Sequence, residues 1–105
     1  MRNTKDDYYR IRGEITAANT VENAARFIYL NQTSYNGLYR VNRQGQYNVP
    51  YGFRETWTYD MERIRHASAK LQNTRLEVGD FEAHKYRIKP NDLVFLDPPY
   101  TVSHN

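Results

Sequence analysis

Leu93-Val94-Phe95-Leu96-Asp97-Pro98-Pro99-Tyr100 is the stretch on which the reading of this chain turns. The apolar run predicts a short buried strand over 92–96. The strand ends on an acid, two prolines and a tyrosine. The paired prolines restrict the backbone, so the Asp97 carboxylate and the Pro98 carbonyl are pre-set as two acceptors. Open α/β sheets hold their ligands at the carboxyl ends of such strands. The plainer reading is a proline turn that merely closes a strand, and the rest of the chain argues against it.

The chain has 105 residues, enough for one small domain with a modest core. Its mean hydropathy of −0.93 and hydrophobic fraction of 39% are low for an independently folding enzyme domain. Ten tyrosines supply much of the aromatic content, and tyrosine can stack, wedge and hydrogen-bond. A net charge of +3 and a pI near 9.2 are compatible with a polyanionic partner without specifying one. The absence of cysteine excludes disulfides and thiolate metal sites. His66, His84 and His104 form no ligand-spaced pair, so no metal is expected. With neither an apolar leader nor a membrane-length apolar run, the expectation is a soluble cytoplasmic protein with no membrane partner.

Residues 1–18 are polar and read as a loosely ordered lead-in, with Tyr8, Tyr9, Ile11 and Ile15 as their bulky groups. Asn19 and Glu22 have the spacing of a capping box. The stripe Val21, Ala24, Ala25, Ile28 and Gln32 predicts a helix that ends near Asn31–Ser34. Leu38 to Val41 and Tyr47 to Val49 predict the strands of a small hairpin. Asn42–Gln46 would be its turn, with Gly45 available for a positive φ. Thr58 is placed to cap a second helix with Met61, Ile64, Ala67, Ser68 and Leu71 on one face, and Arg63, Arg65, His66 and Lys70 solvated on others. A short strand is expected over 75–78. Gly79-Asp80-Phe81 and an irregular polar stretch follow it, up to the strand at 92–96.

Two separated motifs carry a resemblance. The first runs through Phe27-Ile28-Tyr29-Leu30-Asn31, Tyr35-Asn36-Gly37-Leu38-Tyr39-Arg40-Val41-Asn42 and Gly45-Gln46-Tyr47-Asn48-Val49-Pro50-Tyr51-Gly52, and the second is Asp97-Pro98-Pro99-Tyr100. In this order they resemble the Dam-type (D12 class) DNA adenine-N6 methyltransferases. The resemblance implies an α/β fold: a piece of a Rossmann-like S-adenosylmethionine-dependent methyltransferase with an inserted helical and β-hairpin DNA-recognition region. Residues 1–74 would be the recognition region, and residues 75–105 part of the catalytic sheet. The implied partner is double-stranded DNA, with GATC the expected site, and the methyl donor is S-adenosylmethionine.

The resemblance also implies roles. The adenine amino group is a poor nucleophile because its lone pair is delocalised into the ring. Acceptors set against its two N–H bonds localise that pair. Asp97 and Pro98 would supply them, Pro99 would hold the turn, and Tyr100 would stack on the extruded base. Tyr35 would wedge into the duplex, Asn36 would help fill the space near the flipped base, and Leu38 and Pro50 would touch thymine methyls. Arg40 would read a guanine, whose two major-groove acceptors match a guanidinium fork. Asn42 falls in the same DNA-facing block, and Arg43 and Arg54 are placed for phosphates. Tyr35, Leu38 and Pro50 have a second reading, as the core of the hairpin. Asp80 would accept from the donor's adenine amino group, Phe81 would pack on its ring, and Asp97 would face its methionine amino group. A strand-end turn is the other reading of Gly79-Asp80-Phe81.

The sequence also departs from the family pattern. Its glycines are Gly13, Gly37, Gly45, Gly52 and Gly79, so the Gly-x-Gly cofactor motif is missing, as are the strands after Asp97-Pro98-Pro99-Tyr100. The chain therefore reads as a truncated piece, expected to bind cofactor poorly and to turn over little by itself. Its strand at 92–96 would become an exposed edge. A non-catalytic DNA-binding remnant is the alternative. An RNA or protein methyltransferase is a third reading, which the Asn-Gly-Leu-Tyr-Arg hairpin disfavours.

Overall fold

The amino-terminal residues do not form the loose lead-in their polarity suggests. They form helix α1, Lys5–Glu14. Thr4 caps it: its hydroxyl accepts from the Asp7 N–H at 3.2 Å and donates to the Asp7 carboxylate at 2.7 Å. Asp6 and Asp7 in the first turn suit the positive end of the helix. Tyr8 and Ile11, one turn apart, are buried, and Ile15 packs beside them. A stripe this narrow, inside a charged segment, carries little periodic signal. The computed structural model describes residues 2–54 and 56–98. It forms two compact units, one ending at Ala69 and the other beginning at Lys70.

Helix α2, Val21–Thr33, ends where the sequence places it. Its cap, however, is Thr20 rather than Asn19: the Thr20 hydroxyl accepts from the Asn23 N–H at 3.2 Å. Its buried face also differs from the expected stripe. Asn23, Tyr29, Leu30 and Thr33 face inward, while Val21 is 83% exposed. Tyr29 and Leu30 bury far more apolar surface than Ala24 and Ala25 can, and that difference selects the face. Asn23 tolerates burial because its amide donates to Thr16 Oγ1 (2.7 Å) and Ala18 O (2.8 Å), which ties down the α1–α2 link. The outward stripe lines an open apolar groove of about 490 Å³ with Trp57, Met61 and Ile64.

The core of the first unit is Tyr8, Ile11, Tyr29, Leu30, Tyr47, Val49 and Tyr51, with Trp57 against it. The four tyrosine hydroxyls donate to backbone carbonyls: Tyr8 to Val49 (2.6 Å), Tyr29 to Arg2 (2.7 Å), Tyr47 to Leu38 (2.8 Å) and Tyr51 to Asn3 (3.2 Å). Rings that bury apolar faces while satisfying their hydroxyls explain how a chain of such low mean hydropathy acquires a core. The expected hairpin strands are reduced to isolated antiparallel bridges, Val41↔Tyr47 and Ser34↔Tyr51. Turn side chains take part of the ladder: Asn42 Oδ1 accepts from the N–H groups of Gln44 (3.0 Å) and Gln46 (2.9 Å). Gly45 has the expected positive φ, 78°.

Helix α3, Met61–Lys70, is capped by Asp60 rather than Thr58, through its carboxylate on the Arg63 N–H at 3.0 Å. None of its residues is buried; Met61 and Ile64 are about 40% exposed. In the second unit the expected strands at 75–78 and 92–96 are absent, and Leu93 and Phe95 are 98% and 86% exposed. A strand needs a neighbour for its N–H and C=O groups, and among the described residues nothing pairs with either segment. The stretch expected to be irregular contains a 3-10 helix, Phe81–Arg87. No sheet forms among the described residues, so the Rossmann-like architecture expected from the sequence is not seen in them. No helix among them is long and apolar enough to cross a membrane.

Candidate nucleic-acid interface

The loop system 34–54 hangs from the end of α2. Ser34 is fully buried and bridges Tyr51. The Tyr35 N–H donates to Pro50 O, and the Gly52 N–H to Thr33 O, both at 2.9 Å. Gly52 must be glycine for this approach, because a Cβ there would lie 2.6 Å from Ser34 O. Tyr35–Gly37 form a single 3-10 turn whose middle residue, Asn36, has φ 53° and ψ 19°. Asn is among the few non-glycine residues that enter this left-handed region at modest cost. Gly37 follows with φ 61°. The two left-handed residues reverse the chain, leaving Tyr35 53% and Leu38 47% exposed.

Arg40, Asn42 and Arg43 lie further along the same loop, which returns through Pro50 to Arg54. Arg40, Arg43, Pro50 and Arg54 are exposed. Asn42 is half-buried and holds the turn, its amide donating to Gln46 Oε1 at 2.9 Å. The Arg40 Nε–H donates to Asn48 Oδ1 at 2.8 Å, and Nη2 to Asn48 O at 3.3 Å. Arg54 Nη2 sits beside the 35–37 turn, 3.8 Å from where a Gly37 Cβ would stand, and Arg54 O accepts from Asn3 Nδ2 at 2.5 Å. The expected DNA-facing residues thus share one loop system. Tyr35, Leu38 and Pro50 do not fill a hairpin core; Tyr47 and Val49 do.

Three supporting residues escaped the sequence reading. Arg12 Nη1 donates to Val49 O at 3.2 Å, alongside the Tyr8 hydroxyl, and the Arg12 guanidinium lies 4.7 Å from the Tyr9 ring centre. The Tyr9 hydroxyl accepts from the Tyr51 N–H at 3.4 Å. Asn48 faces Arg40 across the hairpin, and its N–H donates to Arg40 O at 3.0 Å. The hairpin register contained a signal for Asn48: pairing Val41 with Tyr47 sets residue 40 opposite 48. Nothing local in the sequence points to Arg12 or Tyr9, since their partners are some forty residues away.

In the second unit, the Asp80 carboxylate caps the 3-10 helix by accepting from the Glu82 N–H at 2.9 Å, and Phe81 is 57% exposed. Glu77 is ringed by bases: Arg75 at 2.6 Å, Arg87 at 2.7 Å and His84 at 3.2 Å. The hydrogen bond from Arg87 does most to hold its carboxyl below the usual range. Asp97 and Pro98 lie exposed in an irregular segment. Pro99 and Tyr100 lie outside the described residues. Among the described residues no group of acids and histidines is arranged to hold a metal.

The whole chain, residues 1–105, matches the family model of the D12 class N6 adenine-specific DNA methyltransferases. The Type II methyltransferase M.MjaIII of Methanocaldococcus jannaschii is 38% identical over 101 residues, which covers 91% of this chain and 35% of that protein. The Type II methyltransferase M1.LlaDCHI of Lactococcus lactis subsp. cremoris is 39% identical, covering 93% and 37%. The retron Ec67 DNA adenine methylase of Escherichia coli is 32% identical, covering 95% and 36%. The chain thus spans about a third of the length of these relatives.

Proposed function

Since the chain belongs to the D12 class N6 adenine-specific DNA methyltransferases, we propose that residues 1–74 form a target-recognition region and residues 75–105 belong to the catalytic part. The reaction is methylation of adenine N6 in a short duplex site, with GATC the proposed target. One observation carries the recognition role: Tyr35, Leu38 and Arg40 stand exposed on a loop whose backbone is fixed from below by Tyr47, Tyr8 and Gly52. An exposed aromatic and an exposed leucine on a pinned loop suit insertion into a stacked duplex. Arg40 reads a guanine, Leu38 and Pro50 meet thymine methyls, Asn36 occupies the space beside the extruded base, and Asn42 keeps the turn in shape against DNA. Arg43 and Arg54 hold phosphates.

At the catalytic end, the Asp97 carboxylate and the Pro98 carbonyl accept from the adenine amino group and localise its lone pair. Pro99 fixes the turn and Tyr100 offers a stacking face. S-adenosylmethionine, when bound, supplies a methyl group on a sulfonium. The donor chemistry of the chain fits it: Asp80 gives one N–H acceptor position to its own helix and keeps acceptor capacity for an amino group, while Phe81 presents a half-exposed ring. Asp97 would face the methionine amino group.

The test is fluorescence anisotropy of the chain with a GATC duplex and its single-base variants. Each wrong base pair is expected to weaken binding by about 1–3 kcal/mol, and Arg40→Ala to abolish the preference at one guanine. Binding that ignores sequence would overturn the assigned target.

A further inference from the structure

We infer that Asn48 is a specificity-determining positioning residue: it orients the Arg40 guanidinium so that one edge faces DNA. The inference rests on the reading of Arg40 as the residue that recognises guanine. A guanidinium has a side edge, formed by Nε and one terminal nitrogen, and an end edge formed by both terminal nitrogens. Asn48 occupies the side edge, its Oδ1 taking Nε–H at 2.8 Å and its carbonyl taking Nη2 at 3.3 Å. Among the described residues no hydrogen bond takes up the end edge, whose two roughly parallel N–H groups belong to an exposed side chain. That is the fork that matches the O6 and N7 acceptors of guanine.

The backbone makes Asn48 a firm anchor. Its N–H is bonded to Arg40 O at 3.0 Å, so anchor and reader are cross-strand partners. Its neighbours Tyr47 and Val49 are both buried in the core, which fixes the direction in which Asn48 projects. Arg40 itself is exposed, and an untethered arginine there would lose considerable rotamer freedom on binding. The tether pre-organises the fork and removes part of that cost. Asn48→Ala deletes the Oδ1 acceptor but leaves the Asn48 backbone bonds in place.

The experiment measures binding of the whole chain to a GATC duplex and its single-base variants. It compares wild type, Arg40→Ala, Asn48→Ala and Asn48→Asp, with Trp57 fluorescence confirming that each is folded. Asn48→Ala is expected to reduce discrimination about tenfold at the base pair that Arg40→Ala affects, and at no other. Asn48→Asp retains the acceptor, so it keeps the discrimination while lowering affinity for every duplex through its added charge. If Arg40→Ala relaxes one position and Asn48→Ala leaves that preference intact, the positioning role fails while the reading of Arg40 survives. A uniform loss across all duplexes in Asn48→Ala also overturns it, because that is the mark of a phosphate contact. If Arg40→Ala changes no preference, the base-reading role of Arg40 fails instead. Without DNA, the Arg40 Nε–H is expected to exchange with solvent more slowly in wild type than in Asn48→Ala, and equal rates would overturn the tether.

Discussion

At the residue scale, the glycine in the hairpin turn and the one just past its second arm make opposite demands. At Gly52 the obstacle is space: a Cβ would stand 2.6 Å from Ser34 O and 2.9 Å from Thr33 O, both backbone atoms. Thr33 O accepts from the Gly52 N–H and Ser34 O from the Gly37 N–H, so neither can move without disturbing a hydrogen bond that anchors the loop. Gly52→Ala should therefore cost about 2–3 kcal/mol in urea unfolding, at the upper end of overpacking penalties. It should also loosen the recognition loop. At Gly45 there is open space but a φ of 78°, so Gly45→Ala should cost only the left-handed penalty of about 1 kcal/mol. Equal costs at the two sites would contradict this geometry. The sequence made Gly45 legible, because a glycine between two short apolar runs has turn chemistry. It left Gly52 illegible, because the atoms that exclude a side chain there belong to residues 33 and 34.

At the element scale, capping separates what was legible from what was not. The sequence offered Asn19 and Thr58 as caps, both of suitable chemistry, and the helices use Thr20 and Asp60, one and two residues later. A cap is set by where the backbone turns into the helix, and for α2 Asn23 decides this by pulling the preceding link onto itself. Thr20→Ala is expected to destabilise the fold by about 1 kcal/mol and Asn19→Ala to be nearly neutral, as read by thermal melting. The reverse result would restore the Asn19 cap. Helix α1 was hidden for a related reason. Tyr8 buries itself against the hairpin, through a hydroxyl donated to Val49 O 41 residues away, and the narrow stripe it shares with Ile11 and Ile15 is only a weak local period. The strand expected at 92–96 rests on an apolar run leading into Asp97-Pro98-Pro99-Tyr100, and that at 75–78 on a short segment that alternates charged and apolar residues. Such patterns give the tendency to form a strand but not the neighbour that a strand requires.

At the scale of the whole molecule, the first unit is held by groups whose ionisation differs between folded and unfolded chains, and this fixes its pH range. Burial raises the Tyr8 and Tyr29 hydroxyls above the ordinary tyrosine range. Asp7 is lowered, chiefly by the hydrogen bond from Thr4, with Arg10 and Arg2 adding to it. For a raised tyrosine the folded state keeps its proton after the unfolded chain has lost it. The contribution is therefore complete below about pH 10 and is lost as pH rises through the folded value. For the lowered aspartate the unfolded chain takes up the proton first. Its contribution is complete above about pH 4 and is lost as pH falls through the folded value. Stability followed by Trp57 fluorescence, which reports the core beside Tyr29, should therefore be flat between these limits and fall on both sides. Asp7→Asn should lower the plateau and flatten the acid limb, and it should also soften the alkaline limb, because the Asp7 charge adds to the burial that raises Tyr29. Tyr8→Phe should lower the plateau through the lost bond to Val49 O and reduce the alkaline limb to the part that Tyr29 carries, with the acid limb unchanged. An acid limb of unchanged slope in Asp7→Asn would mean that the Thr4 cap does not hold its carboxylate in the folded chain.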